Sequence, residues 1–227
     1  MAKRTANGST RRTDSLSRDL IIKTATEILD SGGESALTLR ALTVRLKTGY
    51  GAIYHHVTDK NDLLAAATDD IITGVLSRTA TTGGPRETLR LLALGLFDAI
   101  DAHPWVGAEL SRQPWRPALL DFYESIGRLL DALTVPEGAR FDAAGTLVNY
   151  VLGVAVQNAA NARHLSGRDT DRGTFLDTTA KQWAQLDPAR YPFVHATVTQ
   201  LREHDDREQF LAGIDIFLTG IAALRQA

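Results

Sequence analysis

Leu37–Leu64, LTLRALTVRLKTGYGAIYHHVTDKNDLL, is the stretch that decides the fold of this chain. Thr38 is placed to cap a first short helix, because Leu39, Leu42 and Leu46 follow at helical spacing. Lys47, Thr48 and Gly49 form a turn, and a second short helix runs from there to about His56. Ala52, Ile53 and Val57 supply its inner face, while Tyr50, Tyr54, His55 and His56 point outward with rings and hydrogen-bonding groups. Two short helices joined by so tight a turn predict a helix-turn-helix, a geometry that lays its second helix in the major groove of DNA.

The flanks supply what such a motif needs in order to stand. From Ser17 to about Ser31, Ile21, Ala25 and Ile28 form one stripe, with Thr24 and Leu29 beside it. Asp19 lies in the first turn, where the helix dipole favours a negative charge, and Gly32-Gly33 is the expected stop. This stripe has only the two motif helices to bury against, so the three make one bundle. Thr58 or Asp59 then opens a longer helix carrying Leu63, Leu64, Ala67, Ile71 and Val75, which continues to about Arg78. Polar residues from Thr79 to Gly84 close it.

The run Tyr54-His55-His56-Val57-Thr58-Asp59-Lys60-Asn61-Asp62-Leu63-Leu64 resembles the Tyr-x-His-Val-x-x-Lys-x-x-Leu-Leu segment of TetR-family transcriptional repressors. With Leu37-Thr38-Leu39-Arg40 and the helix from Ser17 upstream, the resemblance covers roughly residues 17 to 75. Lys47 stands where that family usually has a turn glycine, Thr48 where an apolar residue follows, and Gly49 where a polar cap is usual. A glycine cap costs only a few tenths of a kcal/mol against Ser, so these departures touch base preference before they touch the fold.

The resemblance implies roles. Thr38 and Lys60 hold phosphates on either side of the groove, and Tyr54 and His56 pack against or hydrogen-bond the DNA backbone; such contacts set register. Arg40, Thr48, Tyr50 and His55 are the candidates for base edges, Arg40 being able to take a guanine bidentately. Gly49, Gly51 and Ala52 leave the front of the second helix nearly bare. The plainer alternatives are that Tyr54 is a packing residue, that Arg40 sits on a solvated face, and that Gly51 merely weakens its helix by up to about 1 kcal/mol.

Composition bounds the remaining classes. The 227 residues are 44% hydrophobic and 23% charged, enough for a sizeable core. With no cysteine there is neither a disulfide framework nor a thiolate metal site. No run of 18 or more apolar residues occurs and the N-terminus is polar, so a soluble, unexported, cytoplasmic and nucleoid-associated protein is expected. Residues 1–62 hold ten Lys/Arg against seven Asp/Glu, and residues 63–227 hold fifteen against twenty. A basic leading segment on an acidic body suits a DNA reader. The expected organisation is a disordered basic arm over 1–16, a DNA-binding domain over 17–62 and a helical domain over 63–227, with 63–79 as the connecting helix.

Beyond Pro85 the pattern is helical throughout, giving an all-α chain with helices at 85–102, 105–111, 116–133, 141–165, 174–186, 192–203 and 206–225. On the last, Phe210, Ile214, Phe217, Ile221 and Leu224 share one stripe flanked by Gly213 and Gly220, which would let another helix approach. Helix 141–165 is similarly small-faced. The resemblance implies that the last two long helices of each subunit build a four-helix dimer interface; a monomer core is the alternative. Tyr150, Val154, Gln157, Asn161 and His164 form a polar stripe facing a cavity, the dimer seam or solvent. With His103, Trp105, Trp115, Phe175 and Trp183 they are the candidates for a small-molecule pocket with aromatic walls.

The function expected is a homodimeric repressor of a palindromic operator, released by a small-molecule effector. The other readings are a DNA-binding protein of the same fold without an effector, and an all-helical enzyme. No cofactor, metal or membrane partner is expected. His103, His164 and His195 stand in no His-x-x-x-His or Glu-x-x-His spacing, and no P-loop, dinucleotide fingerprint or Gly-x-Ser-x-Gly elbow occurs.

Overall fold

The computed structural model describes residues 16–79, 83–113, 116–166 and 171–224, the side chains of 162–166 excepted. The expected arm, Trp115 and the side chain of His164 lie outside the described residues. Eleven helices and no strand occur among those described. They fall into two compact units, one ending at Ala67 and the other beginning at Thr68.

The first unit holds α1 (Arg18–Ala36), α2 (Leu39–Leu46), α3 (Tyr50–Tyr54) and the opening turns of α4 (Lys60–Arg78). Ser17 caps α1 by accepting from the Leu20 amide at 3.1 Å. The expected stop at Gly32-Gly33 is a break rather than an end. Gly33 leaves the helix at φ 66°, and another turn follows to Ala36. Ile21, Ala25 and Ile28 are buried as the stripe requires, together with Leu29, Leu42, Ile53, Val57 and Leu63. Asp59 opens α4 by accepting from the Asn61 and Asp62 amides (2.7 and 2.9 Å), and Asp62 reciprocates by accepting from the Thr58 amide at 2.9 Å.

The second unit continues along α4 and adds α5 (Gly84–Ala102), α6 (Pro104–Arg112), α7 (Pro117–Ala132), α8 (Glu137–Ser166), α9 (Arg172–Ala184), α10 (Pro192–Arg202) and α11 (Asp206–Leu224). Proline opens α5, α6, α7 and α10 because its fixed φ suits a first turn that lacks N–H acceptors anyway. Pro136 does similar work just ahead of α8, whose start at Glu137 precedes the expected 141 by a full turn. Helix α8 packs against α5, α6, α7 and α11 around a core of Leu96, Phe97, Phe122, Ile126, Leu147 and Val151. Phe210 is fully buried there, stacked on Phe97 with centroids 4.4 Å apart and on Tyr150 at 5.5 Å. Helices α9 and α10 pack on each other, and α10 buries no residue. Asp171 caps α9 through both the amide and the hydroxyl of Thr174, which hold its carboxyl below the usual range.

Candidate functional site

Helix α3 is five residues long and is held by little more than Ile53, which is completely buried, and Val57 just beyond its end. Everything else on it faces out. Tyr50 and Tyr54 are half exposed, His55 is exposed, and His56 is half-buried with its ring edge-on to His55 at 5.3 Å. Ala52 belongs to this outer surface, not to the inner face expected of it. A five-residue helix has room to turn only one side chain inward, and Ile53 occupies that place. Thr48 is half-buried at the base of the turn, with its amide bonded to the Thr43 carbonyl at 3.1 Å.

A Cβ built on Gly49 or Gly51 meets nothing within 4 Å among the described residues. Packing therefore does not demand glycine at either position. Gly49 caps α3 with no side-chain bond, and Gly51 sits inside a helix, where glycine costs about 1 kcal/mol against alanine. What the two glycines provide is a bare front.

Helix α2 presents the second half of this face. The Thr38 hydroxyl oxygen accepts from the Ala41 amide at 3.1 Å, so its own hydrogen remains available to an outside acceptor. Arg40 is exposed and has no side-chain partner among the described residues. One turn on, Val44 is 69% exposed, an outward apolar side chain that sequence reasoning passed over because it fits a helical stripe as well as any core residue. Lys60 has a different first role from the one expected. Its ammonium donates to the Glu34 carbonyl at 2.6 Å, which also accepts from the Leu37 amide at 3.3 Å at the end of α1, leaving two donors for anything else. The turn between the helices bends at Lys47, which adopts φ 50° and ψ 45°, the left-handed conformation usually given to glycine or asparagine.

The second unit distributes the expected pocket residues over separate places. His103 lines a cleft of about 500 Å³ with α4 and α5, Asn161 a cleft of about 320 Å³ with Arg172 and Asp206, and Trp183 a third of about 400 Å³ with Phe193 and Leu201. Trp105 is buried against His103, with centroids 6.1 Å apart. Tyr150 is half-buried in the core stack, and its hydroxyl donates to the Phe210 carbonyl at 3.1 Å; burial pushes the phenol up from its ordinary pKa. Val154 is half-buried, while Gln157 and Phe175 are exposed. Each of these three clefts holds only one residue of this set.

The α11 stripe is divided as well. Phe210, Ile214 and Ile221 are buried within the second unit, joined by Leu218. Gly213 admits the Tyr150 ring, since a Cβ there would collide with the tyrosine hydroxyl. Phe217, Gly220 and Leu224 instead line an open groove of about 370 Å³ against Ala139, Ala143 and Thr146 of α8. Ile216 (74% exposed) and Phe141 (78% exposed) stand on the surfaces of the same two helices.

Sequence reasoning missed an inward polar cluster. Arg116, 5% exposed, makes a two-pronged pair with Asp69 of α4 (3.1 Å at both nitrogens), a bond to buried Glu109 of α6 at 3.1 Å and one to Gln113 at 3.4 Å. Arg112 reaches the other Glu109 oxygen at 2.8 Å. The one available cue was Glu109 itself, a carboxylate beside Val106 and Leu110 on the apolar side of α6. Among the described residues no cluster of three or more His, Asp or Glu side chains is placed to hold a metal, and no helix is long and apolar enough to cross a membrane.

Residues 21–67 match the family described as bacterial regulatory proteins, tetR family. Residues 80–225 match the one described as tetracyclin repressor-like, C-terminal domain. The solved structure of the transcriptional regulator SCO7222, a TetR from Streptomyces coelicolor, is 48% identical, with a TM-score of 0.84 over 92% of this chain and 99% of that one. The HTH-type transcriptional repressor DrrR1 of Streptomyces coeruleorubidus is 25% identical over 224 residues, 92% of this chain and 78% of that protein. ActR of Streptomyces coelicolor, solved in complex with actinorhodin, is 24% identical and shares the fold at a TM-score of 0.73 over 93% of this chain and 99% of that one. With both units matched and an outward, bare-fronted α3 carried on a helix-turn-helix, the chain belongs to the TetR family of DNA-binding transcriptional regulators.

Proposed function

We propose that this regulator is a homodimeric repressor that reads a palindromic operator and is released by a small-molecule effector. The observation that carries the reading is the α2–α3 face, where Arg40, Tyr50, Tyr54 and His55 point outward around two glycines that packing does not require. In this reading Arg40, Thr48, Tyr50 and His55 address base edges, with Val44 available to a thymine methyl. Thr38, Tyr54, His56 and the spare donors of Lys60 address phosphates. Gly49, Gly51 and Ala52 let the backbone come close. DNA binding assigns the protein to the cytoplasm, and residues 63–79 act as the connecting helix.

One α3 reads too few base pairs for useful specificity, and a two-fold axis doubles the site. The exposed Ile216 and Phe141, with the groove of Phe217, Gly220 and Leu224, supply an apolar seam on α8 and α11 for that axis. The repressor sense follows DrrR1, and the effector follows ActR, a protein of this fold captured with a small molecule. An effector that prefers one setting of α4 shifts the spacing of the two α3 helices, which must lie about one DNA turn (roughly 34 Å) apart. Its differential affinity, typically about 1–3 kcal/mol, is the loss of DNA affinity. A regulator without an effector is the second reading, favoured by the scatter of His103, Asn161 and Trp183 over three clefts.

Selection from a random duplex library at about 150 mM salt tests the proposal, since weaker screening would inflate non-specific binding. An enriched inverted repeat is expected. Enrichment of a single half-site, or none at all, would sink the dimeric reader. On the selected duplex, a ligand that raises the melting temperature yet leaves DNA affinity unchanged would leave only the effector-free reading.

A further inference from the structure

The 500 Å³ cleft between α4 and α5 has an apolar floor and a charged edge. Val75, Leu91, Leu94 and Ala99 form part of the floor, while Arg78, Arg207 and Asp98 belong to the lining. This is the composition of a small-molecule site, mostly apolar with a few polar groups that orient the guest, and the volume falls in the usual range for one.

Two helix-interior glycines bear on its lining residues. A Cβ on Gly95 would come within 2.9 Å of the Val75 Cγ1, so α5 approaches α4 closely only because that position is bare. A Cβ on Gly74 would come within 2.9 Å of the Arg78 Nη1 and 3.4 Å of its Cζ. The Arg78 guanidinium therefore lies back along α4 over Gly74, at the cleft. Each glycine costs its helix about 1 kcal/mol against alanine, and Gly95 stands in the lining where a side chain would press on the floor.

The charges are unbalanced. Arg207 is already engaged by Asp98 in a two-pronged pair at 3.0 and 3.2 Å. Arg78 has no carboxylate partner among the described residues. Two guanidinium groups face one carboxylate, and the carboxylate is taken. The planar fork of Arg78 is suited to a carboxylate and poorly suited to a cation or a purely apolar guest.

We propose that this cleft binds an amphipathic carboxylate, its apolar body on Val75, Leu91 and Leu94 and its carboxylate on Arg78. The proposal rests on the effector-released reading and deepens it by naming the site and the ligand class. Helix α4 gives the site its regulatory reach, because the same continuous helix begins at Lys60 in the first unit and ends at Arg78 in the cleft.

The test is calorimetric titration of the full chain with aryl and alkyl carboxylates, from naphthylacetate to dodecanoate, each against its own primary amide. The acids should bind about tenfold or more tightly than the amides, as expected of a hydrogen bond to a charged group. Arg78→Gln should erase that preference, and Asp98→Asn, which frees Arg207, should increase it. Arg78 is exposed, so unchanged melting of Arg78→Gln certifies its fold. Acids and amides of equal affinity, or a preference that survives Arg78→Gln, would overturn the assignment. The naphthyl and alkyl series separate a planar from a flexible guest. Measured in parallel on the selected duplex, an acid that binds through Arg78 and leaves DNA affinity unchanged would support the site while sinking the release reading.

Discussion

In the first unit α3 buries Ile53 and leaves Tyr50, Tyr54 and His55 in solvent, whereas in the second Arg116 turns inward and is held by Asp69, Glu109 and Gln113. The same kinds of side chain do opposite jobs. Outward groups cost the fold little and remain free to meet a partner. Inward groups lose their water, so each must be paired, and once paired they fix how helices meet. Arg116 ties α4 to α6, and α4 is the helix that begins in the first unit.

The largest effect that would test this contrast is at Arg116. Arg116→Ala leaves Glu109 buried with part of its charge uncompensated and should destabilise the second unit by about 3–5 kcal/mol, read by urea unfolding. A loss below 1 kcal/mol would mean that water replaces the guanidinium and the cluster is not structural.

Tyr150 is next. Tyr150→Phe removes the bond to the Phe210 carbonyl while keeping the stacked ring, and should cost about 1 kcal/mol at neutral pH. Because burial raises the phenol pKa, the neutral hydroxyl's contribution is complete below the ordinary tyrosine value and is lost as pH rises through the raised one. The gap between wild type and Tyr150→Phe should therefore close in alkali. A gap constant with pH would show that the hydroxyl is not the cause.

At the turn the sign reverses. Lys47 holds a left-handed backbone that glycine adopts without strain, so Lys47→Gly should stabilise the first unit by up to about 1 kcal/mol, seen as a higher melting temperature. Destabilisation would mean that the lysine side chain contributes contacts of its own. The smallest effect belongs to Gly49→Ser, which adds a capping hydroxyl to α3 in open space and should gain roughly a few tenths of a kcal/mol in a thermal melt. Its effect on DNA should be the larger of the two, since the added atoms stand on the bare front.

The first unit was legible because its cues are local. Thr38 caps where a hydroxyl before an apolar run should cap, Ile21 and Leu42 are buried as their spacing demands, and Asp59 with Asp62 closes the start of α4. Helix α3 was read two residues too long, because Val57 keeps the buried, one-turn spacing from Ile53 although the chain through His55 and His56 is already a turn. In the second unit helix positions were legible from proline and periodicity, while side-chain partners were not. Phe210 and Gly213 lie on the stripe of small and apolar residues that a dimer seam would show, yet they pack on Tyr150, 60 residues earlier in the chain. Glu109, Arg116 and Asp69 come from three elements, and nothing in their spacing announces that they meet. Long-range pairing between helices leaves no period to read.

The central claim, that the α2–α3 face reads bases while its edges grip phosphates, is tested most directly by titrating Arg40→Ala and Lys60→Ala with the selected duplex and its single-base variants over a range of salt. Arg40→Ala should cost about 1–3 kcal/mol on the selected duplex and lose discrimination at one base pair of each half-site. Lys60→Ala should weaken every duplex alike and reduce the salt slope by about one. Uniform weakening by both substitutions, with base discrimination intact, would contradict the account.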